Sequence, residues 1–212
     1  MLWVVLLLLL ISGYAAFKLF RFTQNRGRLK FLGLTISAVI FLVMQLSVFI
    51  ALIINNSDFD TASNIIVEWG QIFCMAFILS SLAIFIRDSK PAFAQFPMAY
   101  TALPFLIVFS YYLVKDTYAL KNWLLTIYQG GAITVALLMY AIYSYRRKEY
   151  NLVLVSAVLF LLSYLTFWYV PGVKENYAWL WKLLLGAGII TAIQGYEHAD
   201  VSLESEVPVE QH

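Results

Sequence analysis

The sequence predicts an all-α polytopic membrane protein: a bundle of seven transmembrane helices with its N-terminus outside and its C-terminus inside. Three observations carry that expectation. Of 212 residues, 62% are apolar and only 12% are charged, about half the charge of an ordinary soluble domain. Seven apolar stretches approach the roughly 20 residues that a membrane span needs. Ten of the 14 lysines and arginines fall in alternate connections, the bias that marks cytoplasmic loops.

The stretches run over 2–20, 31–54, 64–86, 97–114, 123–145, 152–170 and 177–196. The first has no basic residue before its apolar run and Lys18, Arg21, Arg26, Arg28 and Lys30 after it. A cleaved signal peptide has the reverse arrangement, so the expectation is a retained anchor entering from outside. The second span returns outward. The acidic and polar connection NNSDFDTAS follows, without a basic residue. The third span ends at Arg87 and Lys90, and the fourth contains Pro104, which predicts a kink. The fifth ends at Arg146, Arg147 and Lys148, whereas the outer connections hold only Lys115, Lys121 and Lys174. The expected organisation is therefore one transmembrane domain over 1–196, then an acidic, flexible cytoplasmic tail over 197–212.

Composition also excludes several chemistries. The one cysteine, Cys74, rules out an internal disulfide or a multi-cysteine metal site and suits a small buried residue. Both histidines, His198 and His212, lie in or beside the tail. No phosphate-binding loop, metalloprotease or nucleophile-elbow motif and no basic nucleic-acid motif occurs. The expectation is no enzyme, cofactor, metal or nucleic-acid partner.

Polar residues inside the spans are the informative ones. At 1.5 Å rise per residue, Glu68 lies about one turn below the outer end of the third span, with Gln71 on the same face. Lys182 lies at similar depth in the seventh. The fifth presents Tyr128 and Gln129 within two turns, and Gln45 lies about 13 Å below the outer end of the second. Tyr111 and Tyr164 occupy the outer halves of the fourth and sixth spans. Inner halves carry mainly small hydroxyls, which bond their own helix carbonyls. The candidate ligand-binding set is therefore Glu68, Gln71, Gln129, Lys182, Gln45, Tyr128, Tyr111 and Tyr164. Glu68 and Lys182 share a level, so pairing across the bundle is one expectation. The other is that Lys182 snorkels, its stem in lipid and its ammonium at the headgroups. The tryptophans near outer ends fit an interfacial belt.

The third-span stretch VEWGQIFCMAFILSSLAIFIR, with its polar, Trp-bearing outer start and basic inner end, resembles the seven-helix membrane sensor modules of bacterial signalling proteins. The resemblance covers roughly 2–196 and implies a bacterial cytoplasmic membrane, an outward-facing polar and aromatic pocket, and a small apolar or amphipathic ligand. Those modules commonly precede a kinase or cyclase domain. None follows the seventh span here, so the resemblance implies action through a membrane or cytoplasmic protein partner, met by the basic inner loops or the acidic tail. A lysine in the seventh span is also similar to that of retinal-binding rhodopsins, but Lys182 is too near the outer end for a Schiff base. A small transporter or transporter subunit, and a structural subunit of a membrane complex, are the alternative readings.

Overall fold

In the computed structural model, the described residues are 2–26, 29–54, 56–89, 97–114, 118–170 and 177–205. Among them every regular element is helical: α1 (Leu2–Arg26), α2 (Leu29–Ile54), α3 (Ser57–Ser89), α4 (Pro97–Leu113), α5 (Tyr118–Arg146), α6 (Asn151–Tyr169) and α7 (Ala178–Ser205), with a 3₁₀ turn at Lys148–Tyr150 before α6. Six of these are long and apolar enough to cross a membrane. In α4 the apolar stretch is shorter, Ala102–Leu113.

The surfaces of these helices are those of a protein in lipid. In water, a surface helix hides an apolar stripe and exposes a polar one. Along α1 the exposed positions include Trp3, Leu7, Leu10, Tyr14, Phe17 and Phe20, whereas the buried ones include Ser12, Ala15 and Ala16 beside Val5 and Leu8. The buried polar residues elsewhere are likewise small: Thr35, Ser37, Ser63, Ser81, Ser156 and Ser163. Small residues inside and large apolar ones outside are what helix association in hydrocarbon favours. Burying apolar surface brings no gain there, so close backbone approach does the work.

The chain forms two compact units, Met1–Ala132 and Ile133–His212, divided within α5. The single domain expected over 1–196 thus spans both. In the first unit, α1 to α4 pack as sequential neighbours. The α2–α3 seam is antiparallel and finely fixed. Ser37 Oγ donates to the Cys74 carbonyl and Cys74 Sγ donates to the Ser37 carbonyl, both at 3.3 Å. Farther along, a Cβ on Gly33 would stand 2.2 Å from Ser81 Oγ and 3.0 Å from the Phe77 carbonyl oxygen. Cys74 is buried and free, as its lone occurrence implied. Between α1 and α2, Thr23 and Thr35 share a hydrogen bond at 3.0 Å.

In the second unit α6 and α7 pack antiparallel over their lengths. At one end Ser163 Oγ donates to the Trp181 carbonyl at 2.8 Å. Near the other, Gly195 lies against the backbone of α6: an added Cβ would stand 2.7 Å from the Val153 nitrogen. Backbone cannot rotate away as a side chain can.

Two boundaries differ from the sequence expectation. Helix α3 starts at Ser57, so most of the segment expected as an outer connection is helical. Asn56 caps it, its Oδ1 accepting from the Asp58 amide at 3.1 Å, and Asp58 and Asp60 place negative charge at the positive end of the helix dipole. At 33 residues, α3 is about 50 Å long, well beyond the ~30 Å hydrocarbon core. Helix α7 likewise continues through Ser205, so the first part of the acidic tail is helical, and positions 206–212 lie outside the described residues.

Replacing Gly195 with Ala should therefore lower the apparent unfolding midpoint in detergent, at a cost of about 1–3 kcal/mol for forced overpacking. Gly13→Ala is the control. Its added Cβ would meet only Leu42 Cδ1 at an ordinary 3.9 Å, and no loss is expected.

Candidate functional site

The site is built on α3, α4 and α5. Glu68 comes about one turn into the apolar part of α3. Tyr111 sits near the end of α4, and the early start of α5 at Tyr118 puts Lys121 in its first turn. The three side chains meet. Tyr111 Oη donates to Glu68 Oε1 at 2.5 Å, and Lys121 Nζ donates to the same oxygen at 2.9 Å. The Lys121 ammonium also stands 5.4 Å from the centre of the Tyr111 ring. Tyr111 is fully buried, one of the largest side chains so placed. Its ring meets Trp69 edge-on at 5.7 Å, and Trp69 in turn packs on Phe73. Next to Tyr111, Ser110 and Tyr128 share a short hydroxyl–hydroxyl bond that ties α4 to α5.

The electrostatics follow from the geometry. A lone carboxylate at this depth would carry a desolvation cost of several kcal/mol. Here it accepts two hydrogen bonds and faces an ammonium. Both donors converge on Oε1, and Oε2 takes part in neither bond. The Lys121 and Glu68 side chains remain 32% and 37% exposed. The pair is thus reachable from outside the fold, while Tyr111 and Trp69 behind it are held by packing.

Six of the eight candidate residues lie in the first unit. The structure brings Glu68 and Tyr111 into contact and sets Tyr128 one hydrogen bond from the neighbour of Tyr111. Gln45, Gln71 and Gln129 are all half-buried rather than exposed, and neither bond to Glu68 Oε1 comes from them. Lys182 and Tyr164 belong to the second unit. Lys182 is half-buried, with Nζ 5.5 Å above the ring of its neighbour Trp181, and Tyr164 packs edge-on against Tyr169. The ion-pair partner of Glu68 is therefore Lys121, a residue that sequence reasoning assigned to an outer connection. The overlooked signal is in KNWLL: Lys121 and Trp123 directly precede the apolar run, and a helix starting one turn earlier carries the lysine into the site.

A second polar cluster was passed over altogether. Within the second unit, Tyr140 and Tyr196 bond hydroxyl to hydroxyl at 2.5 Å, with rings edge-on at 6.2 Å. Tyr143 packs on Tyr140 and on Tyr150 of the 3₁₀ turn. Tyr140 is buried, and the two hydroxyls satisfy each other. This cluster clamps the C-terminal half of α5 to α7.

Comparison with protein families, curated proteins and solved structures finds no match to this chain.

A double-mutant cycle on Glu68→Gln and Lys121→Met should give a coupling between about 0.5 and 3 kcal/mol, the double change costing less than the sum of the single ones. Thermal unfolding in one detergent measures it. Additive losses would mean the pair does not stabilise the fold.

Proposed function

We propose that the chain is an integral membrane sensing or partner-binding module of the bacterial cytoplasmic membrane, with seven spans, N-terminus outside and C-terminus inside. Glu68, Tyr111 and Lys121 form the core of its recognition site, opening to the outer side. The observation that carries this reading is the partly open ion pair backed by a buried aromatic wall. Closing off both charges would add desolvation cost and leave no opening for a competing ligand. This one leaves a third of each accessible and keeps Oε2 outside both bonds. A small amphipathic ligand fits such a site: its polar head would meet Glu68 and Lys121, and its apolar body Trp69 and the half-buried surface beside Gln71. Binding there would alter the contact of α3 with α4 and α5, and those helices would carry the change to the inner loops, where a partner would sense it.

The orientation rests on charge. Lys18 and Arg21 lie at one end of the first unit, each over an aromatic ring of its own helix. Asp58, Asp60 and the Glu68 site lie toward the other. Since Cys74 is the only cysteine, a Cys74→Ala background accepts single reporters. An impermeant maleimide should label Asp58→Cys in intact cells and Lys148→Cys only after permeabilisation. The opposite pattern would invert the proposed topology.

The ligand is tested by what the protein retains. Wild type, Glu68→Gln and Tyr111→Phe are purified from native membranes in mild detergent, and their small-molecule extracts are compared by mass spectrometry. An amphipathic compound should accompany wild type, weaken with Tyr111→Phe and disappear with Glu68→Gln. Identical extracts from all three would overturn the recognition role.

A further inference from the structure

Lys182 presents a different problem from Glu68. It is the fifth residue of α7, half-buried, with apolar Leu183 to Leu185 directly after it. Among the described residues no carboxylate pairs with it. Of the acidic positions of the second unit that the structure describes, Glu149, Glu197, Asp200 and Glu204 all fall at the opposite end of the α6–α7 pair, some 20 Å or more away along the helices, and Glu175 lies outside the described residues. The ammonium instead rests over the Trp181 ring. That ring is fixed from behind by Phe167, edge-on at 5.0 Å, which meets Trp168 at 4.9 Å. The Trp181 indole N–H is itself buried without an acceptor. Two adjacent residues therefore supply donors and a positive charge, and nothing described in the chain supplies the matching anion.

We propose that Lys182, on its Trp181 platform, holds the phosphate of a resident anionic phospholipid at this end of the α6–α7 pair. A phosphodiester brings the missing charge and acceptor oxygens, and membranes place it within reach. Lys182 is about 6 Å along α7 from Ala178, and its four-carbon stem spans that distance to the headgroup level. The exposed Tyr177, Trp179 and Leu180 flank the same level and suit the boundary between headgroup and acyl chain. A net negative headgroup is favoured over a zwitterionic one, because the ammonium of the latter would meet no carboxylate among the described residues at this end. The site is separate from that of Glu68 and needs only that the helices lie in a membrane.

The test uses the full chain, purified in mild detergent, stripped of lipid and titrated with dioleoyl phosphatidylglycerol while native mass spectrometry counts bound lipid. Wild type should hold one molecule tightly. Lys182→Gln should weaken it about tenfold or more, as expected for a lost hydrogen bond to a charged group. Lys182→Arg should retain it, and Trp181→Leu, which removes the platform, should weaken it several-fold. Lys148→Gln, an exposed basic residue at the other end of the unit, should leave it unchanged. Because Lys182 pairs with no described carboxylate, its replacement should leave helix content intact by circular dichroism. Equal affinity in wild type and Lys182→Gln overturns the proposal, as does an equal loss in Lys148→Gln. Equal binding of dioleoyl phosphatidylcholine would overturn the preference for a net negative headgroup. Displacement of the lipid by millimolar inorganic phosphate would show that the site takes free anion and would overturn the lipid as its occupant.

Discussion

A charge or a hydrogen-bonding group in hydrocarbon has no water to turn to. It must be matched within the chain, matched by lipid, or carried to the surface, and each choice restricts what can lie beside it. The hydroxyls take the nearest solution. Ser12, Ser47, Ser110, Thr126, Ser156 and Thr191 each donate to a carbonyl one turn back on their own helix, which makes them small enough and neutral enough to line helix contacts. The carboxylate of Glu68 has no such local remedy. It draws a phenol from α4 and an ammonium from α5, so the cost of one buried charge becomes a link among three helices. In a solvent where burying apolar surface contributes little, such a link weighs more in positioning helices than it would in water.

Most of the architecture was legible because composition and the bilayer leave few choices. Backbone groups in lipid must bond within a helix, so apolar stretches of sufficient length become helices wherever they occur, and all seven apolar stretches coincide with helices of the structure. The ends were less legible. Hydropathy reports where a helix leaves lipid, not where it stops. Asn56 and the acidic first turn of α3 extend that helix into polar sequence, and α7 continues past Tyr196 for a similar reason: nothing in EHADVSLES breaks it.

The same distinction explains the reading of the Glu68 site. Depth along a helix follows from counting residues, and it put Glu68, Tyr111 and Tyr128 at neighbouring levels, where the structure joins Glu68 to Tyr111 and Tyr128 to Ser110. Which charges meet depends on which helices adjoin, and one-dimensional depth is silent on that. Lys182 matched Glu68 in depth. Lys121 lay outside the expected span, yet it is the residue whose side chain reaches Glu68. A lysine has several ångströms of flexible reach, so a residue one turn outside the apolar run is a better partner than its hydropathy implies.

The contrast between the two lysines bears on how the protein works. Lys121 is matched by an acid of the chain itself, and the match is exposed enough for a ligand to compete with it. Such a contact is reversible, as the proposed recognition role requires. Lys182 has no described acid, and a resident lipid would hold it without reference to any signal. Several described polar groups toward the opposite helix ends are already committed, although the buried Ser81 hydroxyl is not. Tyr140 and Tyr196 satisfy each other, and Thr191 and Ser156 bond their own helices. A transport path needs groups that a substrate can engage in succession through the full depth. Within the first unit the exchangeable groups gather at the Glu68 site, which suits the proposed binding role better than a path of successive sites.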